Sequence, residues 1–107
     1  MKRRCFAILA ASLACTLSHG EVTDAVRKKT EGACAACHGP AGAKPTMPGA
    51  PKLAGQQYEY LVQTLEAFRS GSRESPIMGA MAKPLTDADI RSMARYYSEL
   101  PGLQTKY

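Results

Sequence analysis

The chain has 107 residues, of which 45% are hydrophobic and 21% charged. This is a globular composition sized for one domain, which excludes a disordered chain and a multidomain enzyme. The net charge of +5 invites an anionic partner, but Lys2, Arg3 and Arg4 account for much of it; without them eleven basic residues face nine acidic ones, a net +2 that gives no case for nucleic acid.

In chain order, Met1-Lys2-Arg3-Arg4 is followed by an apolar run from Phe6 to Leu17 and a small-residue exit, Ser18-His19-Gly20. This pattern predicts an export signal over residues 1–20, cleaved after Gly20, and a mature domain over 21–107 delivered to the periplasm. The apolar run is shorter than the roughly 20 residues a spanning helix needs, and no other stretch approaches that length, so no transmembrane segment is expected. Leu13-Ala14-Cys15 resembles the end of a lipobox, with Ser12 where a leucine would stand, which makes a lipid anchor at Cys15 the second outcome. Cys5, Cys15 and His19 leave with the signal. Cys34, Cys37 and His38 are the thiols and imidazole that remain.

Val22 to Ala33 predicts a short helix with Val22, Ala25 and Val26 on one face and a break at Gly32. From Gly39 to Gly55, four prolines and four glycines fall among seventeen residues. A loop that long inside so small a domain has to wrap something. Tyr58, Leu61, Val62, Leu65 and Phe68 recur at helical spacing, with Gly71 placed to end the helix in a left-handed conformation. The pattern lapses from Ser72 to Leu85, where Pro76, Gly79 and Pro84 interrupt, so a second loop carrying Met78 and Met81 is expected. Thr86 is an N-cap, with Asp87 and Asp89 at the positive helix end. Ile90, Met93, Ala94 and Tyr97 then form an inward stripe that stops at Leu100-Pro101-Gly102. On that stripe Tyr97 faces inward and Tyr96 outward. No segment alternates as a strand does. The expectation is an all-α domain of three main helices and two long loops, near the size at which a hydrophobic core alone is a marginal source of stability.

Cys34-Ala35-Ala36-Cys37-His38 supplies the missing staple. Two thiols three residues apart can form thioethers with the two vinyl groups of a haem, and the adjoining imidazole can then ligate the iron. A structural zinc site would need a fourth ligand of an unusual kind. A thioredoxin-like pair would follow a strand, and a disulfide between such near neighbours closes too small a loop to stabilise much. The second axial position has four candidates, Met47, Met78, Met81 and Met93. Met93 belongs to the inward stripe and Met47 lies close to His38 in sequence. Met78 and Met81 are far enough along the chain to return across the opposite face, and one of these two is the expected ligand.

At Cys34-Ala35-Ala36-Cys37-His38-Gly39, Pro51-Lys52-Leu53-Ala54-Gly55-Gln56, Pro76-Ile77-Met78-Gly79-Ala80-Met81 and Leu85-Thr86-Asp87-Ala88-Asp89-Ile90 the chain resembles a class I cytochrome c. The likeness is to small bacterial periplasmic members whose di-haem relatives carry two such domains in tandem. It implies that the helices and loops wrap one covalently bound haem c, with His38 and Met78 as the iron ligands and Met81 at a neighbouring packing position. It also implies Gln56 as a donor to a propionate or near the axial sulfur, Tyr58 rather than the exposed Tyr60 as the haem-side aromatic, and Pro40 as an aid to His38 orientation. One departure is the basic run Arg27-Lys28-Lys29-Thr30 where members carry a glycine in the first helix, which predicts a looser or shifted crossing with the last helix.

The function implied is electron transfer by a carrier that is not itself an enzyme. Its iron would cycle between Fe(II) and Fe(III), between a redox protein donor and acceptor, in a monomer or a subunit of a redox complex. The alternative is a haem c electron-acceptor subunit of a periplasmic dehydrogenase or sulfur-oxidising enzyme, with Tyr60, Tyr96 and Leu103 to Tyr107 as its contact face. A third possibility, a catalytic or gas-binding haem, needs an open sixth position.

Overall fold

The computed structural model describes residues 22–102. The export signal with its Gly20 cleavage point, the Cys15 anchor and the Leu103–Tyr107 face lie outside the described residues. Thr23 Oγ1 accepts the amide of Val26 at 3.3 Å, satisfying one of the orphan donors at the start of the first helix. Helix α1 (Asp24–Lys29) then passes through a π turn (Thr30–Cys34) into α2 (Ala35–His38). The break expected at Gly32 is therefore absent. Gly32 sits in open space, the Thr30 hydroxyl donates back to the Arg27 carbonyl at 2.9 Å, and the widened turn absorbs the irregularity without ending the helix. Cys34, Cys37 and His38 consequently project from helical backbone in fixed relative directions.

Gly39 stops this helix at φ +82°, and a Cβ there would lie 1.9 Å from the Lys44 carbonyl oxygen. A 3-10 turn (Pro40–Gly42) opens the long loop, which packs through Leu53 and Ala54 and is held by backbone hydrogen bonds to Cys37, Gly42 and Tyr97. The Thr46 and Met47 amides donate to the Cys37 carbonyl at 3.0 and 3.3 Å, those of Leu53 and Ala54 to Gly42 at 2.9 and 3.1 Å, and that of Gly55 to Tyr97 at 2.8 Å. The orphan carbonyls of α2 are thus paired by the loop itself.

Helix α3 (Tyr58–Ser70) ends at Gly71 with φ +85°, as its sequence predicts. The second loop departs from expectation: Pro76–Ala82 forms a helix, α4. Ser75 Oγ accepts the Met78 amide at 3.1 Å, and Pro76 stands in the first turn, where its missing N–H costs nothing. Pro84 follows the last turn. The prolines that read as interruptions bracket a helix instead.

Helix α5 (Asp87–Ser98) carries the expected cap in full: Thr86 Oγ1 accepts from the Asp89 amide at 3.0 Å and Asp89 Oδ2 from the Thr86 amide at 3.1 Å. Its stripe of Ile90, Met93, Ala94 and Tyr97 is buried. Ile90 and Met93 pack with Val26, Ala82 and Leu85; Ala94 and Tyr97 pack with Leu61. Removing an isoleucine side chain such as that of Ile90 from water contributes about 1.5–3 kcal/mol. The glycine-free crossing of α1 with α5 is made by Val26 and Thr30, both buried, while Ala25, Arg27 and Lys28 face solvent. Lys29 Nζ reaches Asp89 Oδ2 at 3.4 Å, and Arg69 Nη2 reaches Asp87 Oδ1 at 2.5 Å while its Nη1 donates to the Leu85 carbonyl. No strand occurs among the described residues.

Candidate functional site

The helices leave between them a cavity of about 640 Å³. One wall is the helical turn that carries Cys34, Cys37 and His38, backed by the loop from Met47 to Leu53. The other is α3 with the segment Arg73 to Met81, and Met93 and Tyr97 of α5 close it from behind.

His38 is only 6% exposed. Its Nδ1–H donates to the Pro51 carbonyl at 2.7 Å; because a carbonyl can only accept, the proton is on Nδ1 and the lone pair is left on Nε2. That arrangement orients and polarises a histidine for iron ligation. The orienting group is Pro51, not the expected Pro40, which is exposed. Pro51 is brought there because the loop doubles back onto Gly42. Gly42, at φ +64°, permits the approach: a Cβ on it would lie 2.8 Å from Leu53 Cβ and 3.0 Å from the Tyr97 ring.

Cys34 and Cys37 are free thiols, each half-buried on the same wall. Burial pushes the Cys34 thiol up, offset only in part by Tyr97 and Lys29. Tyr97 is pushed upward as well, first by its own burial and then by Cys34. No group of three or more His, Cys, Asp or Glu side chains that could hold a metal ion occurs among the described residues.

Met47, Met78, Met81 and Met93 all line the cavity. Met93 is buried in the core as expected, Met78 is half-buried, and Met47 and Met81 are 39% and 43% exposed. The Met78 amide is held by the Ser75 hydroxyl that caps α4. Gln56 lines the cavity. Tyr58 does not: its ring lies in the Leu61–Tyr97 cluster with the Arg95 guanidinium 5.7 Å from its centre. Tyr60, although 48% exposed, takes the place on the cavity wall expected for Tyr58. The helical register of α3 carries Tyr58 toward α5 and Tyr60 toward the cavity mouth. Tyr96 is half-buried and meets Tyr97 edge-to-face at 4.9 Å and 73°. Sequence reasoning also missed Arg73, Ile77 and Thr64 as wall residues; a helical reading of Pro76–Ala82 would have placed Ile77 there.

A largely apolar cavity within the usual range for a bound cofactor, two thiols, one pre-oriented imidazole and facing thioethers together fit a covalently attached haem. The buried Tyr97 hydroxyl makes no hydrogen bond of good geometry among the described residues, and the Cys34 thiol on the same wall is the group that interacts with it.

The sequence profile of the family described as cytochrome c matches residues 25–101. The thiosulfate dehydrogenase electron acceptor of Thiomonas intermedia (strain K12) is 43% identical over 67 residues, covering 63% of this chain and 31% of that protein. Cytochrome c4 of Thiocapsa roseopersicina is 45% identical over 73 residues, covering 68% and 37%. The crystal structure of reduced recombinant cytochrome c4 from Pseudomonas stutzeri superposes with a TM-score of 0.64 at 31% identity, over 71% of this chain and 46% of that one. The chain thus spans about a third of the length of these two curated relatives.

Proposed function

Because this chain belongs to the cytochrome c family, whose members bind haem c covalently, we propose that it is a periplasmic electron carrier with one haem and His38/Met78 axial ligation. Cys34 and Cys37 would form the thioethers, His38 Nε2 would take one axial position of the iron and the Met78 sulfur the other. Bound there, haem c supplies a one-electron Fe(II)/Fe(III) couple. The observation that carries this reading is the His38 Nδ1–H bond to Pro51 at 2.7 Å, which leaves one imidazole lone pair on the wall that also presents both thiols.

The protein's part is to hold ligands and keep water away. The bond to Pro51 fixes the tautomer of His38 and raises the basicity of its Nε2. Leu61, Leu65, Phe68 and Met93 make a dry back wall, which favours the less charged, reduced site. The Ser75 cap holds the first turn of α4, and with it the backbone of Met78. Gln56 supplies an amide to a propionate or near the axial sulfur. No catalytic residue is required.

The test is the optical spectrum of the periplasmically expressed protein, oxidised and reduced. The weak long-wavelength band of methionine bound to ferric iron is expected in the wild type and in Met81→Ala, and is lost in Met78→Ala, which then binds carbon monoxide when reduced. A wild type without the band that binds carbon monoxide readily would replace the carrier by a ligand-binding haem.

The name of the Thiomonas relative favours a second reading, in which the same site accepts electrons as a subunit of a sulfur-oxidising dehydrogenase. Tyr60, Ile77 and Met81, all exposed around the cavity mouth, would then meet the enzyme. The two readings part on native mass, since a free carrier elutes alone on gel filtration.

A further inference from the structure

Among the described residues two buried side-chain oxygens lack a hydrogen bond, Ser92 Oγ and Tyr97 Oη, and of these only Tyr97 stands on the cavity wall. Its ring cannot swing away. Gly42 packs against the ring so closely that a Cβ there would meet Tyr97 Cε1 at 3.0 Å, Tyr96 abuts it edge-to-face, and its carbonyl accepts from the amides of Gly55 and Leu100. A buried hydroxyl held this firmly costs free energy unless it is paired, and the side-chain group that bears on it most directly is the Cys34 thiol, near enough to interact with it but outside good hydrogen-bond geometry.

Cys34 packs against the same Leu61–Ala94–Tyr97 cluster. Before attachment its sulfur carries a proton, the state that burial favours. Thioether formation makes a bond from sulfur to one vinyl carbon and delivers the thiol proton to the other, so the sulfur afterwards has lone pairs only and can act solely as an acceptor. Tyr97 then offers the complementary group, an O–H with nowhere else to donate.

We infer that the Tyr97 hydroxyl donates to the Cys34 thioether sulfur in the haem-loaded protein, which makes Tyr97 a haem-binding residue that tunes the iron. The inference rests on attachment at Cys34. Donation to the sulfur withdraws electron density from the macrocycle edge and favours the reduced state, so the bond raises the midpoint potential. A phenylalanine at this position would preserve the packing and abolish the effect.

The experiment is a double-mutant cycle on the haem-loaded protein, combining Tyr97→Phe with Cys34→Ala, which leaves a single thioether at Cys37. Midpoint potential is the principal readout and thermal midpoint the second. Expected is a lower potential and a lower melting temperature for Tyr97→Phe in the Cys34 background, with no change in potential from the same substitution in the Cys34→Ala background. The methionine–iron band should persist in Tyr97→Phe, which separates tuning from ligand loss. An unchanged potential on Tyr97→Phe in the Cys34 background overturns the inference, as does an equal shift in both backgrounds. Wild-type protein whose haem is extracted by acidified organic solvent would instead sink the attachment on which the inference rests.

Discussion

The two walls of the cavity are built on different terms. The histidine wall is complete as polypeptide: His38 is buried, its ring is hydrogen-bonded at 2.7 Å, and the loop behind it is tied by three backbone hydrogen bonds to the ends of α2 and α5 and by two more to Gly42. The methionine wall is a seven-residue helix, α4, with Ile77 50% and Met81 43% exposed and one side-chain cap at its start. Under the proposed assignment, a fixed ligand on one side and an adjustable one on the other would let Cys34 and Cys37 hold the haem before Met78 closes over it. The lesson is that order in a small cofactor domain is distributed unevenly, and the cofactor makes up the deficit on the weaker side.

The strongest way to break this comparison is to disturb the histidine wall at Gly42. An alanine there needs φ +64° and meets both Leu53 and the Tyr97 ring, so Gly42→Ala should destabilise the haem-loaded protein by about 2–3 kcal/mol, from strain plus overpacking. Chemical denaturation checks it. A loss below about 0.5 kcal/mol would mean that the loop is as adjustable as α4.

A smaller effect is expected on the opposite wall. Ser75→Ala removes the bond to the Met78 amide and costs about 1 kcal/mol as a lost N-cap. The effect should stay local. Native-state hydrogen exchange of the Gly79 and Lys83 amides, which close the α4 backbone bonds, should accelerate roughly fivefold, with the α3 amide of Leu61 unchanged. Acceleration of both helices together would show that the methionine wall belongs to the same cooperative unit as the rest.

The same contrast governs what could be read in the sequence. Helix α5 was legible to its cap, because Thr86 and Asp89 act within one turn and the apolar stripe has helical period. Helix α3 was legible for the same reasons, from Tyr58 to Gly71. That Cys34, Cys37 and His38 share one cavity wall was legible because they lie within five residues. What escaped depends on contacts distant in sequence. Pro51 orients His38 only because the loop folds back onto Gly42, and nothing local distinguishes Pro51 from Pro40. Tyr60 rather than Tyr58 lines the cavity because α5 occupies the direction that Tyr58 takes. Helix α4 is hidden in the sequence by its own prolines, which mark its boundaries and have the look of breaks; Ser75 followed by Pro76 is the signal that points to it. The π turn at Thr30–Cys34 has no sequence signature that we can identify.

The smallest expected effect tests whether the scaffold behind the histidine wall depends on charge. Asp89 lies below its ordinary value of 3.8, held there first by the Thr86 backbone N–H and then by Lys29, and it joins α5 to α1 through Lys29 at 3.4 Å. A carboxyl depressed in the folded state contributes stability that is fully present above its unfolded value and is lost as pH falls through the folded one. Asp89→Asn keeps an oxygen able to accept from the Thr86 amide and removes only the charge. At neutral pH it should therefore cost about 0.5 kcal/mol, the size of a partly exposed ion pair and helix-dipole interaction. The gap between the two proteins should close as pH is lowered from 5 toward about 3, roughly bracketing the ordinary carboxylate value, because the wild type loses the same charge by protonation. Denaturation midpoints followed across that range decide it. A gap that stays constant would mean that Asp89 acts through cap geometry alone, and that the histidine wall owes its rigidity to hydrogen bonds and packing with no part played by the α1–α5 ion pair.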